Sequence, residues 1–265
     1  MAQLIDSAPG NASELQPVSG PVLDDEKVMS LAEHLTELRR RLVISVAAIA
    51  IGSIVGWFAA PRVIEILKAP ITPYYSGPLV FTNPSAAFML QVKLALMIGI
   101  ALAAPVILYH VWAFVSPGLT AHERRVARPW VPLAILFLIL GIGVAYAILP
   151  YAMGFLISFQ IPGTIEPWLT VESYFGFVTT LFLIFGLVMQ FPIVLVLLSK
   201  TGLVTVERLK RNRRYVAVAI VIFAVVVTPG GDPVSPTMMA LVMYPLYELS
   251  IYLIARSQRP TTQTS

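Results

Sequence analysis

Two carboxylates stand among arginines at the borders of long apolar runs: Glu37 in Leu35-Thr-Glu-Leu-Arg-Arg-Arg-Leu42, and Glu123 in Ala121-His-Glu-Arg-Arg125. If the fold brings these borders together, they form an acidic spot at a membrane edge. Such a spot can receive guanidinium groups through charge-assisted, bidentate hydrogen bonds. This is binding chemistry, not catalysis. The chain has no cysteine, so thiolate nucleophiles, disulfides and Cys-ligated metals are excluded. Its three histidines, His34, His110 and His122, lack the close spacing of a zinc-binding helix. There is no His-Glu-x-x-His, Gly-x-Ser-x-Gly or Walker loop, and after Asp25 the only aspartate is Asp232, so an intramembrane aspartyl pair is also excluded. No enzymatic activity, metal or cofactor is expected.

The elements that must hold these carboxylates are membrane helices. The chain is 57% apolar and only 12% charged, with a mean hydropathy of +0.81, whereas soluble domains are about 25% charged. Apolar runs at 42–60, 88–114, 130–155, 174–199, 215–228 and 235–255 predict an all-α protein of six transmembrane helices. The fifth run is short: about 14 residues at 1.5 Å each cover roughly 21 Å of an apolar layer about 30 Å thick. It must be recessed, or the bilayer must thin around it.

Lysine and arginine distribution sets the orientation. Lys27 and Arg39 to Arg41 precede the first run. Arg124, Arg125 and Arg128 follow the second, a cluster from Lys200 to Arg214 follows the fourth, and Arg256 and Arg259 end the chain. These are 15 of the 18 basic residues, and they alternate onto one side. Both termini are therefore expected in the cytoplasm. Residues 1–28 read as a disordered cytoplasmic tail without signal-peptide character, residues 29–255 as the membrane domain in which the six helices sit, and residues 256–265 as a second tail. The lack of an Arg-rich transit peptide favours a prokaryotic plasma membrane.

Ser30-Leu-Ala-Glu33 is a capping-box pattern and predicts a helix start. Leu31, Leu35, Leu38 and Leu42 then share one stripe, so this first helix is expected to lie along the membrane surface or on a partner. His34, Glu37 and Arg41 occupy its other face. An i,i+4 pair of Glu37 with Arg41 is the simplest account of that carboxylate, worth roughly 0.3 to 0.5 kcal/mol. Pro105, Pro132, Pro192 and Pro245 are expected to kink their helices or leave backbone carbonyls free, and to make the bundle concave. Pro61, Pro70, Pro73, Pro78 and Pro84 structure a long first outer loop.

Beyond these local readings, several segments resemble the TatC family, the polytopic receptor subunit of the twin-arginine protein translocase. They are Glu-His-Leu-Thr-Glu-Leu-Arg-Arg-Arg-Leu (33–42), Ala-Pro-Val-Ile-Leu-Tyr-His-Val-Trp-Ala-Phe-Val-Ser-Pro-Gly-Leu (104–119), His-Glu-Arg-Arg (122–125), Phe-Pro (191–192), Arg-Asn-Arg-Arg-Tyr-Val (211–216) and Thr-Pro-Gly-Gly-Asp (228–232). The resemblance runs from about residue 29 to residue 255. It implies that Glu37 and Glu123 bind the paired arginines of a signal peptide, with Arg39 and Phe114 at the same site. It also implies contact of the helices with single-span TatA and TatB-type subunits, a homo-oligomeric assembly in membrane lipid, and no nucleic-acid partner.

Gln190 departs from the acid common at its position in that family, and is expected to face a groove and hydrogen-bond a partner helix. Glu248 is a second polar residue within a span, with internal pairing to a hydroxyl or amide as the alternative. Asp232 reads as a turn or cap residue, although the family also shows an acid there. Tyr146 and Glu172 read as structural. The competing function is an ion- or proton-coupled secondary transporter, for which the spans offer only Glu248, Gln190 and the marginal Lys93, without duplicated broken helices.

Overall fold

The computed structural model describes residues 31–116, 130–161, 168–200 and 204–257. Its order is α1 (Leu31–Lys68), a 3-10 turn (Ala69–Ile71), α2 (Ala86–Val115), α3 (Trp130–Ile157), α4 (Val171–Val188), α5 (Phe191–Lys200), α6 (Val206–Arg211), α7 (Arg213–Val227) and α8 (Val234–Ser257). Five segments are long and apolar enough to cross a bilayer: α1, α2, α3, α4 with α5, and α8. The remaining apolar run forms α7, whose 15 residues span about 22 Å.

Among the described residues, no separate surface helix precedes the first span. With no proline between Leu31 and Pro61, α1 runs unbroken for 38 residues, about 57 Å of helix. The leucine stripe is turned outward, with Leu35 65% and Leu42 60% exposed, and the opposite, polar stripe faces α2. The reason lies further along the helix. Gly52 and Gly56, four residues apart, let α1 and α2 meet backbone to backbone: a Cβ on Gly52 would stand 2.8 Å from the Gly99 carbonyl oxygen, and one on Gly56 2.4 Å from that of Ala95. Small residues at this spacing permit close antiparallel packing of membrane helices. Residues 52 and 56 opposite 99 and 95 fix the register, which then sets residue 37 beside residue 114.

Prolines shape the far end of α1 by removing amide donors, and side chains of neighbouring helices take up carbonyls left free. Pro61 cannot serve the Trp57 carbonyl, to which Gln91 Nε2 donates at 3.4 Å. Pro70 cannot serve Ile66, whose carbonyl accepts from the Tyr146 hydroxyl at 3.3 Å. The adjacent Leu67 carbonyl accepts from the buried Tyr174 hydroxyl. The helices continue through Pro105, Pro150 and Pro245. Pro132 kinks nothing, because it lies in the first turn of α3, where an amide has no helical partner to lose. Among Pro105, Pro132, Pro192 and Pro245, only Pro192 follows a helix stop, at Met189–Gln190.

The core sits between α3 and α4, where Ala145, Leu149, Ala152, Val178, Leu181 and Phe185 are fully buried. Val80 and Thr170 form a parallel bridge that ties the first long connection to the start of α4. Among the described residues, Arg39 to Arg41, Arg208 to Arg214 and Arg256 gather at the end of the bundle where α1 begins, and Arg62 and Lys68 at the opposite end.

Candidate functional site

At the α1-start end, the packed polar stripe brings Glu37 and Phe114 into one neighbourhood. The His34 ring, one turn before Glu37, stacks on the Phe114 ring with centroids 4.2 Å apart and planes 17° from parallel. The Glu37 carboxylate is claimed on one side only. Its Oε1 accepts from Arg41 Nε at 3.0 Å and also from Arg41 Nη2. Both side chains are about four-fifths buried, at 20% exposure for Arg41 and 19% for Glu37. Oε2 is shielded from solvent and has no hydrogen-bond partner among the described residues. A shielded carboxylate oxygen without a donor is costly, by about 1–3 kcal/mol or more. The arrangement is therefore incomplete in a way that one more N–H donor would repair.

Arg39 is exposed; two residues from Glu37, it projects from another side of the helix, and Arg41 takes the carboxylate instead. Glu123 lies outside the described residues. His34 and Arg41 had a signal in the sequence, their i−3 and i+4 spacing about Glu37, but nothing local indicated that this stripe would pack on α2.

The other polar candidates lie elsewhere. Gln190, in the break between α4 and α5, turns its amide into the bundle and donates from Nε2 to the Ala134 carbonyl at 3.1 Å, leaving Oε1 enclosed without a donor. Its amide is thus already engaged within the chain. Glu248 on α8 pairs with a hydroxyl, its Oε1 accepting from Tyr244 at 3.5 Å, and also with a cation: its Oε2 accepts from Arg213 Nη2 of α7 at 2.7 Å. Arg213 carries no sequence signal for this role, because 35 residues separate the partners.

Asp232 is buried in the α7–α8 turn, where Gly230 and Gly231 take positive φ of 98° and 69°. Its Oδ1 accepts from the Ser235 amide at 2.6 Å, capping α8. Tyr146 closes the end of α1 as described above. Glu172, in the first turn of α4, accepts at 3.2 Å from the Thr82 hydroxyl of the first long connection. A cavity of about 390 Å³ lined by Met153, Tyr174, Phe177 and Gly230 lies at this far end, away from Glu37. Among the described residues no cluster of His, Cys, Asp or Glu is suited to a metal.

The profile of the family described as "Sec-independent protein translocase protein (TatC)" matches residues 33–241. A protein of that name from Aquifex aeolicus is 39% identical over 228 residues, covering 85% of this chain and 94% of its own length. Its counterpart from Carboxydothermus hydrogenoformans is 37% identical over 230 residues, covering 86% and 94%. The fold is similar to a crystal structure described as the twin-arginine translocase receptor TatC, with a TM-score of 0.71 and 38% identity over 86% of this chain and all of that one. A multi-pass helical architecture, motifs spread along its length, and agreement in both sequence and fold lead to one assignment: the chain belongs to the TatC family of Sec-independent protein translocase proteins.

Proposed function

We infer that this protein is the receptor and core subunit of a twin-arginine translocase in a prokaryotic plasma membrane. It binds twin-arginine signal peptides at the end of the bundle where α1 begins and helps to export folded precursors. The observation that carries this reading is the half-satisfied Glu37 carboxylate, shielded beside the His34–Phe114 stack. Its free oxygen suits a guanidinium better than an ammonium, because the planar fork engages a carboxylate with paired N–H groups. Glu123 supplies the second carboxylate. The basic residues gathered at this end support a cytoplasmic assignment for it by the positive-inside rule, with α7 counted as a sixth, short span and both termini inside. Single-span TatA and TatB-type subunits pack against the helices. The exposed valine-rich face of α7 and its shortfall of roughly 8 Å against a full hydrocarbon layer make that region the place where the bilayer thins.

The test is direct binding of a synthetic signal peptide with two adjacent arginines to the purified full-length protein. Glu37→Ala and Glu123→Ala are each expected to weaken binding by about 1.5 to 3 kcal/mol, the range for a hydrogen bond to a charged group, with the protein still folded. Unchanged affinity in the double variant rejects the assignment.

A further inference from the structure

We propose that Arg41 is a resident competitor at the recognition carboxylate: its guanidinium holds Oε1 of Glu37, and an incoming arginine that spans both oxygens displaces it. This rests on the reading of Glu37 as a receptor residue and adds what governs its affinity. Arg41 presents to Glu37 the same chemical group that the signal presents. It uses two of its donors, Nε and Nη2, on the single oxygen Oε1. One carboxylate oxygen is thereby saturated while the other is left unserved. That is a poor match to the planar fork, which reaches its strongest form with one donor on each oxygen. The cause is local geometry: Arg41 is bound to the same helix one turn away, and from i+4 its side chain approaches Glu37 along the helix. A guanidinium arriving from another chain is free of that constraint and can span both oxygens.

The stack of His34 on Phe114 holds this end of α1 against α2, so the carboxylate waits in a fixed place. Exchange of Arg41 for a signal arginine then swaps a lopsided pair for a bidentate one without leaving Glu37 unpaired at either stage. Because the competitor is part of the chain, it reduces the affinity of every ligand by the same factor, the fraction of time the carboxylate is unoccupied. It sets a threshold that weak cationic peptides fail to pass, rather than a preference between strong ones.

The experiment measures binding of two synthetic peptides, one with adjacent arginines and one with adjacent lysines before the same apolar segment, to the full-length protein in detergent. Arg41→Gln removes the competitor. Arg40→Gln removes an equal charge from an exposed neighbour and reports the general electrostatic effect. Relative to Arg40→Gln, Arg41→Gln is expected to bind both peptides about three- to tenfold more tightly, by a common factor, as loss of a partly buried charged pair implies. In a Glu37→Gln background that gain disappears. Arg41→Lys, which keeps the charge without the fork, falls between Arg41→Gln and the parent. Weaker binding in Arg41→Gln, a gain no larger than that of Arg40→Gln, or a gain that persists with Glu37→Gln overturns the competitor. If Glu37→Gln alone leaves binding unchanged, the receptor reading itself fails, a separate result. Thermal unfolding of each variant confirms that the compared proteins are folded.

Discussion

The α1–α2 pair and the α7–α8 pair are both antiparallel helical hairpins, yet they are held in opposite ways. In the first, backbones meet through Gly52, Gly56 and Gly99, and the contact persists from the His34–Phe114 stack to the Gln91–Trp57 hydrogen bond. In the second, Ile220 and Ala224 supply the buried face of α7, and the Arg213–Glu248 ion pair ties α7 to α8. Much of the rest of α7 is uncovered, including Val218, Val221, Val225 and Val226. In lipid, apolar side chains gain little from one another that acyl chains do not also give, so close backbone packing is what makes a helix pair rigid. The first pair is built to hold a site still. The second leaves a helix face free for lipid or another helix.

Four substitutions test this contrast. The largest effect is expected at the glycine seam: in Gly56→Ala the new Cβ would lie 2.4 Å from the backbone oxygen of Ala95, which cannot move aside without separating the helices. A loss of about 3 kcal/mol is expected, at the upper end of overpacking costs. It should appear as a lower unfolding temperature in detergent, and, because Glu37 depends on this register, as weaker peptide binding. A variant as stable as the parent would show that the seam does not hold α1 on α2.

Breaking the ion pair comes next. Glu248→Leu leaves Arg213 without its partner and should destabilise by about 1–2 kcal/mol, reduced from the fully buried case because both side chains are partly exposed. Replacing both residues with apolar ones should recover most of that loss. A double-variant cycle with no coupling would mean that α7 is held by apolar contact alone. Peptide binding should be unaffected in either variant, since the pair joins α7 to α8 and is separate from the Glu37–Arg41 pair.

A smaller change is expected for Gln190→Leu, which gives up one hydrogen bond to Ala134 but also removes an enclosed oxygen without a donor. The two effects oppose each other, and stability should shift by less than about 1 kcal/mol. Export of a twin-arginine precursor should nonetheless fall if the polar group serves assembly with a single-span subunit. Normal export and normal assembly would assign Gln190 to internal packing only. The smallest effect is expected at Gly143, where an added Cβ meets nothing within 4 Å. Gly143→Ala should be neutral or more stable by up to about 1 kcal/mol, from helix propensity. A destabilised Gly143→Ala would reveal a hidden close contact on α3 and blur the distinction between packed and open glycines.

Much of the fold is legible along the chain because membrane helices announce themselves by length and apolarity. The run ending at Thr228 stands out as short for the same reason. Expectations failed where local rules were asked to decide a packing question. The leucines at 35, 38 and 42 form the apolar stripe expected to meet the membrane surface or a partner, and they stay exposed; what no local rule foretold is that the opposite, polar stripe packs on α2. Pro132 and Pro192 both lie in the first turn of a helix, but Pro192 opens a second helix after a break at Met189–Gln190 in one apolar run. The candidate site is half legible: Glu37 and Phe114 are recognisable from their surroundings, whereas the stack of His34 on Phe114 and the unserved oxygen of Glu37 exist only once α1 and α2 are in register.

The sequence by itself determined that this is a multi-helix membrane protein of the TatC family, with two acidic residues in a basic fringe and one helix too short for an ordinary bilayer. These follow from composition, run length and motif, all local properties. Tertiary structure alone decided that Glu248 is answered by Arg213, and that the carbonyls left free by Pro61 and Pro70 are taken by Gln91 and Tyr146. Each is a contact across helices, and its partner is chosen by the axial register of the two helices that meet. A shift of one residue along either helix rotates its side chains by about 100°, so no local pattern could have named those partners.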